Sequence, residues 1–261
     1  MATSAAGTDS RAEIRAWRLG LLGAFLLLWE VATRRGWVDP FFVSQPTVLG
    51  RQLYDWVRSG FIFRHLVVTL EETIIGFVLG TLLGVAVGFA FAQWDKLARI
   101  FDPLMVALNA MPRVVLAPLF ILWFGLGLLS KVIMVVSLVF FLVFFSTYTG
   151  IREVDRDLVS NARILGAGPR HLIRHVLLPS ALTWIFASLR TSVGFALIGA
   201  VVGEYLGAHE GMGWVISYAE SMFNATGVLA GLIVLMAAVI AIDVALKRLD
   251  ARFSYWKPVA R

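Results

Sequence analysis

The sequence predicts an all-α integral membrane protein of about six transmembrane helices with a helical loop on the cytoplasmic side. Three observations carry that prediction. Hydrophobic residues are 59% of the chain and charged residues 15%, with a mean hydropathy of +0.81, whereas a soluble domain carries about a quarter charged residues. The apolar residues gather into six stretches near the ~20 residues that a hydrocarbon layer ~30 Å thick requires. The segment 152–179 is too polar to span and too regularly patterned to be a passive connector.

The first stretch, Trp17 to Ala32, opens among three arginines, with Arg11 and Arg15 before it and Arg18 at its start. A cleaved secretory signal competes with an anchor here. No small-x-small site follows Leu28, and Glu30 interrupts the run, so an uncleaved anchor behind a cytoplasmic tail (1–16) is expected, with residues 17–261 forming one transmembrane domain. Next, Pro46 to Ser59 reads as a short amphipathic helix at the outer interface. Leu49, Leu53 and Trp56 share one face, with Arg51, Asp55 and Arg58 largely opposite.

The second stretch, His65 to Ala92, carries Gly76, Gly80, Gly84 and Gly88 every four residues, a ridge on which another helix can approach closely. This implies a compact bundle and no transport role for any one glycine. The third, Leu104 to Phe124, is interrupted by Pro112 and Pro118. The fourth runs Val132–Tyr148, the fifth Ala181–Val202 and the sixth Gly227–Leu246. Between the last two, Glu204 to Asn224 lacks Lys and Arg but carries Glu204, Glu210 and Glu220, as an external loop should.

Charge sets the orientation. With both termini in the cytoplasm, 15 Lys/Arg fall inside and 6 outside, Arg113 and Arg190 lying within spans. Arg34, Arg35, Arg51, Arg58 and Arg64, in the first external loop, run against the rule. The net charge of +6 is thus a topology signal. No basic–aromatic strip is present, and nucleic acid is not an expected partner. Cysteine is absent, which excludes disulfides and thiolate metal sites.

Ionisable groups at membrane depth are costly and are functional candidates. Arg113, beside Pro112, is a candidate for attracting an anion along a substrate pathway, though snorkelling or pairing with a carboxylate is favoured. Arg190 and Glu204 are further candidates for that pathway, although an architectural pairing is the favoured reading of Arg190, and Glu204, like Glu210, could face an external protein or simply solvent. Glu71, Glu72 and Asp243 read as interface or helix-pair groups. His171 and His175, at i and i+4, lack a third ligand, so no metal site is expected. No Gly-x-x-x-x-Gly-Lys-Ser/Thr sequence occurs and no nucleophile–base arrangement is visible, so no catalytic residue is assigned.

In the polar loop, Val154, Leu158, Ala162 and Leu165 fall on one helical face. Gly166-Ala167-Gly168 breaks the helix, Pro169 opens another with Leu172 and Val176 on its apolar side, and Pro179 ends the unit. Arg163, Arg170 and Arg174 stay polar. Two short helices at an angle, offering small and apolar residues to the cytoplasm, call for a partner.

The run Ser160-Asn161-Ala162-Arg163-Ile164-Leu165-Gly166-Ala167-Gly168, with Leu177-Leu178-Pro179, resembles the EAA loop of permease subunits of binding-protein-dependent ABC importers. The second Ala, the Gly, the Ala after it and the Pro are kept; Ser160 and Asn161 replace the family's Glu and first Ala. The stretches 117–131, 154–163 and 194–208 resemble the nitrate/sulfonate/taurine branch. The resemblance implies a type I importer permease of the bacterial inner membrane that pairs with a second copy. Two ATP-binding subunits would dock below and a periplasmic substrate-binding protein above. Ser160, Asn161, Ala162, Arg163, Leu165, Gly166, Ala167, Gly168 and Pro179 would couple the pore to the ATPase. ATP and magnesium would act on that partner, this chain needing no cofactor. The cargo would be a small organic or inorganic anion: a sulfonate, taurine, nitrate or an aromatic carboxylate. A stand-alone secondary transporter or channel is the alternative, and it leaves the helix pair unexplained.

Overall fold

The computed structural model describes residues 11–253, and the regular structure among them is helical. Residues 1–10, and the tail cations Lys257 and Arg261, lie outside the described residues.

Helix α1 (Arg11–Arg34) starts six residues before the expected Trp17. It stands almost wholly exposed, with Trp17, Leu19, Leu21, Phe25 and Leu27 all uncovered. What fastens it is Glu30. Helix α2 (Pro40–Val43) follows, its first turn capped by Asp39, which accepts the Phe41 amide at 2.9 Å. Helix α3 (Pro46–Arg58) has no such cap of its own, because the Gln45 side chain makes none. Glu30 supplies it from α1: its carboxylate accepts the Thr47 amide at 3.1 Å and the Thr47 hydroxyl at 2.9 Å, and pairs with Arg34 at 2.6 Å. An acid that looks misplaced in an apolar run satisfies an orphan donor at a helix start. As expected, α3 turns Leu49, Leu53 and Trp56 inward and leaves Arg51, Asp55 and Arg58 exposed.

The centre is built on α4 (Phe61–Gln93), α7 (Leu128–Arg152) and α10 (Leu178–Gly207). Gly76, Gly80, Gly84 and Gly88 of α4 lie against Val135, Val139, Phe140–Val143 and Phe144–Thr147 of α7. The numbers rise together, so the two helices run parallel. Gly199 and Gly203 of α10 meet Val135 and Lys131 in falling order, so α10 runs antiparallel to α7. Valines 135, 139 and 143 form the core with Ala196 and Ala200. Small residues on two helices receive β-branched side chains of a third, and dispersion rewards the close approach.

A parallel α4–α7 pair demands a return crossing, which α5 (Asp95–Ala110), a 3₁₀ turn (Arg113–Leu116) and α6 (Ala117–Phe124) provide. The halves bend by 83°. Met111 is extended, as the ring of Pro112 favours for the residue before it, and α5 stops at Ala110. Two expectations are corrected. The segment becomes helical at Asp95 rather than Leu104, and Pro118 interrupts nothing, since it sits in the first turn of α6, where its missing N–H costs no bond. Five helices are long and apolar enough to cross a membrane, or six if this bent pair counts as one.

Helix α8 (Arg156–Ile164) and α9 (Pro169–Leu172) follow α7, and a π turn (Ile173–Leu177) joins α9 to α10. Pro179 therefore does not end the unit: helix runs unbroken over Pro169–Gly207, 39 residues. The π turn explains how. The Leu178 amide reaches back to the Ile173 carbonyl, and the widened turn makes room just ahead of the proline ring. At its other end α10 runs past the expected Val202, so Glu204 is helical and not in a loop. The rest of the expected external loop holds α11 (Met212–Ser221) before α12 (Ala225–Phe253).

Candidate functional site

The loop between α7 and α10 has the expected helix–break–helix shape. Asp155 caps α8, accepting the Asp157 amide at 2.8 Å. At the other end the Gly166 amide bonds to the Arg163 carbonyl and the Ala167 amide to the Ala162 carbonyl, both at 2.9 Å. That double closure is a Schellman stop, which places the residue after the cap in the left-handed region. Gly166 has φ +86°. Gly168 is extended and Pro169 opens α9.

The break leaves two apolar side chains uncovered side by side, Ile164 at 82% and Leu165 at 88% exposure. Leu158 is exposed on the same helix, while Leu172 of α9 is buried. Ser160, Asn161, Arg163, Arg170 and Arg174 are exposed, Ala162, Ala167 and Pro179 half-buried. Periodicity found Leu165 and missed Ile164, which lies off the stripe and projects because the helix stops there. The loop shares its end of the bundle with the α4–α5 turn, where Arg152 binds Asp95 at 2.5 Å.

The polar residues of the spans divide. Arg113 follows the break at Pro112; its guanidinium donates to the Asn109 carbonyl (3.1 Å) and side chain (2.7 Å) and lies 4.3 Å from the Phe141 ring centroid. Asparagine and an aromatic face hold it; of the two favoured readings, snorkelling or a carboxylate partner, the second is not what is found. Arg190 is exposed on α10 and Glu71 exposed on α4. His171 and His175 stack on each other at 4.0 Å, and among the described residues no group of three His, Asp or Glu could hold a metal.

Glu204 is the largest departure. It was expected in a solvated loop and is 0% exposed. Its carboxylate accepts the Gly213 amide at 2.7 Å. The Met212 amide donates to Thr69 at 2.8 Å and the Gly211 amide to His65 Nδ1 at 3.2 Å. Three consecutive amides at the start of α11 are thus received by side chains of α4 and α10, the orphan donors every helix start must place. Glu72 (2% exposed) lies beside Glu204, and Lys131 Nζ stands 3.5 Å from Glu72 while donating to the Leu126 carbonyl at 3.0 Å. In sequence these residues belong to three separate segments. A lysine at the start of the fourth span, beside two acids counted from span ends, was the available signal.

The chain matches the description "binding-protein-dependent transport system inner membrane component" over residues 62–255. It is 32% identical to the putative aliphatic sulfonates transport permease protein SsuC of Bacillus subtilis (strain 168), over 92% of this chain and 88% of that one. It is 33% identical to the formylaminopyrimidine transport permease protein ThiX of Halalkalibacterium halodurans, over 89% of this chain and 92% of the relative. In fold it is similar to a chain of the MetNI methionine ABC transporter in an inward-facing conformation, with TM-score 0.60 at 23% identity, covering 70% of this chain and 91% of the other.

Proposed function

The chain belongs to the binding-protein-dependent transport system inner membrane components, and from that premise we propose that it lines half of the pore of an ATP-driven importer and is coupled to a separate ATPase through the loop 152–179. The observation that carries the coupling is the exposed Ile164–Leu165 pair at the Gly166 break. Burying such a side chain is worth ~1.5–3 kcal/mol, and two adjacent ones, offered by a short rigid helix, fit a groove on a cytoplasmic subunit. Ser160, Asn161, Ala162 and Arg163 flank the pair on α8, and Ala167 and Gly168 follow it.

In this reading two copies enclose the pathway, two ATP-binding subunits grip the α8 breaks, and a periplasmic substrate-binding protein delivers cargo to the far end. The termini face the cytoplasm, in keeping with the Lys/Arg distribution. ATP-driven closure of the motor moves the two α8 helices together, and the bundle responds by exchanging between two packings. The bent α5–α6 crossing is a natural place for that exchange, since its halves are already uncoupled by Pro112. Arg113 stands at the bend with a positive charge, which suits a small anionic cargo, and a sulfonate permease is among the similar proteins. ATP hydrolysis and its magnesium reside in the partner. No observation favours a stand-alone transporter or channel.

The test is co-purification in detergent. An ATPase subunit should accompany the wild-type chain and be lost from Ile164→Asp/Leu165→Asp and from a chain lacking 160–168. Retention of the ATPase by both variants would overturn the coupling role.

A further inference from the structure

The bundle holds a charge imbalance that the transport reading does not use. Glu72 on α4 and Glu204 on α10 are both shut away from solvent, and Lys131 on α7 is 6% exposed. Two carboxylates and one ammonium leave one negative charge over, and a buried charge without a counter-charge is strongly disfavoured. The groups facing the pair are few. On α4 they are His65, whose ring accepts the Gly211 amide, and Thr69; on α7, Lys131; from α11, backbone amides alone. The Arg64–Glu210 and Tyr205–Glu220 contacts are exposed.

The hydrogen-bond count shows the same imbalance independently. One oxygen of Glu204 takes the Gly213 amide and one oxygen of Glu72 faces Lys131, but the other two, Glu204 Oε1 and Glu72 Oε2, are buried with no donor. The two carboxyls lie within hydrogen-bonding reach of each other. One hydrogen between them would give both orphans a partner and bring the charge to zero. Two free oxygens and a nearby hydroxyl fall far short of the six or more oxygens a hard metal cation takes.

We propose that Glu72 and Glu204 form a buried binding site for a single proton, shared between their unpartnered oxygens, that completes the joint between α4, α7, α10 and α11. The proton is a structural ligand: it lets Glu204 keep its second oxygen on the Gly213 amide without repulsion from Glu72. Removing it at alkaline pH sets two like charges against each other at the seat of α11, and that seat loosens.

The experiment is infrared difference spectroscopy on the full-length chain, with the subunits that co-purify with it, in lipid nanodiscs. Wild type minus Glu72→Gln, and wild type minus Glu204→Gln, should each show at neutral pH the loss of a protonated-carboxyl C=O band that shifts in D₂O. In wild type that band should fade toward alkaline pH together with the melting temperature, and Glu72→Gln, whose amide donates where the proton sits, should flatten the alkaline fall in melting temperature. If wild type has no protonated-carboxyl band at neutral pH, or both Gln variants lose only carboxylate bands, the proposal is overturned; wild type alone decides should a variant not fold. A melting temperature that rises with sodium chloride over choline chloride, and no longer does so in Glu72→Gln, would also overturn it, with a sodium ion as the occupant.

Discussion

Glu204 accepts the Gly213 amide at 2.7 Å across a turn whose glycines leave no room for a side chain. A Cβ on Gly213 would fall against the Val201 carbonyl and 2.8 Å from the Glu204 Cβ. Glu204→Ala should therefore cost ~1–3 kcal/mol through the amide it strands, and Gly213→Ala a similar ~1–3 kcal/mol through overpacking. Because both act on one joint, the double variant should lose less than the sum of the two. Thermal unfolding of the three variants in nanodiscs measures this; strict additivity would mean that the two residues do not share a seat.

The glycine ridge makes a sharper prediction, since the chain carries its own control. At Gly80, Gly84 and Gly88 an added methyl would lie 2.9, 2.8 and 2.7 Å from α7, and at Gly84 and Gly88 the nearest atom is a backbone carbonyl that cannot rotate aside. Around Gly23, in α1, nothing lies within 4 Å. Gly84→Ala should destabilise by ~1–3 kcal/mol, whereas Gly23→Ala should be neutral or stabilise by up to ~1 kcal/mol, because alanine is the better helix former. Equal melting temperatures for the two would contradict the packing described.

What the sequence disclosed divides along physical lines. The spans and the ridge were legible because lipid imposes length and a four-residue repeat imposes a face. The break at Gly166 was legible because a Gly-Ala-Gly after a helical stripe has few conformations open to it. Glu204 was misread, because an acid a few residues beyond the apolar core of a span looks solvated. Its burial depends on Lys131, Glu72 and the α11 amides, which converge only in three dimensions. Pro179 was misread for a related reason: a π turn has no sequence signature, and it removes the clash by which a proline normally stops a helix.

Lys131 offers a test of the charge count in the interior. Lys131→Met keeps the bulk of the side chain and removes the cation 3.5 Å from Glu72. Breaking a buried pair from one side costs ~3–5 kcal/mol, because the stranded charge has no solvent to turn to. Lys131→Met/Glu72→Gln/Glu204→Gln should recover much of that loss, since it leaves neither acid without a counter-charge. Melting temperatures that are no higher for this triple variant would show that Lys131 acts through packing alone.

On the exposed end, Arg64 donates to Glu210, and that hydrogen bond holds the Glu210 carboxyl below its ordinary range. The folded chain therefore takes up this proton less readily than the unfolded one. The contribution of the pair is complete at neutral pH, begins to fade as pH falls toward the ordinary glutamate value near ~4.3, and is gone below the depressed value. Glu210→Gln should shrink the acid-induced drop in melting temperature without changing the neutral-to-alkaline range, and molar salt should mimic it by screening. An unchanged acid limb in Glu210→Gln would show that the ion pair adds nothing in solution.

Gly166 separates shape from chemistry in the coupling loop. Its φ of +86° is strained for side-chain-bearing residues, yet nothing lies within 4 Å of where a Cβ would be. A substitution there is therefore opposed by the backbone and not by neighbours. Asparagine tolerates the left-handed region, whereas a β-branched residue resists it by ~1–2 kcal/mol. Gly166→Asn should leave substrate-stimulated ATP hydrolysis by the assembled importer within about twofold of wild type, and Gly166→Val should lower it by roughly 5–30-fold, the population equivalent of that strain. The two variants should melt alike, because the bend bears on no part of the buried core. If Asn is as damaging as Val, the partner contacts Gly166 itself, and surface fit rather than backbone conformation is what the position supplies.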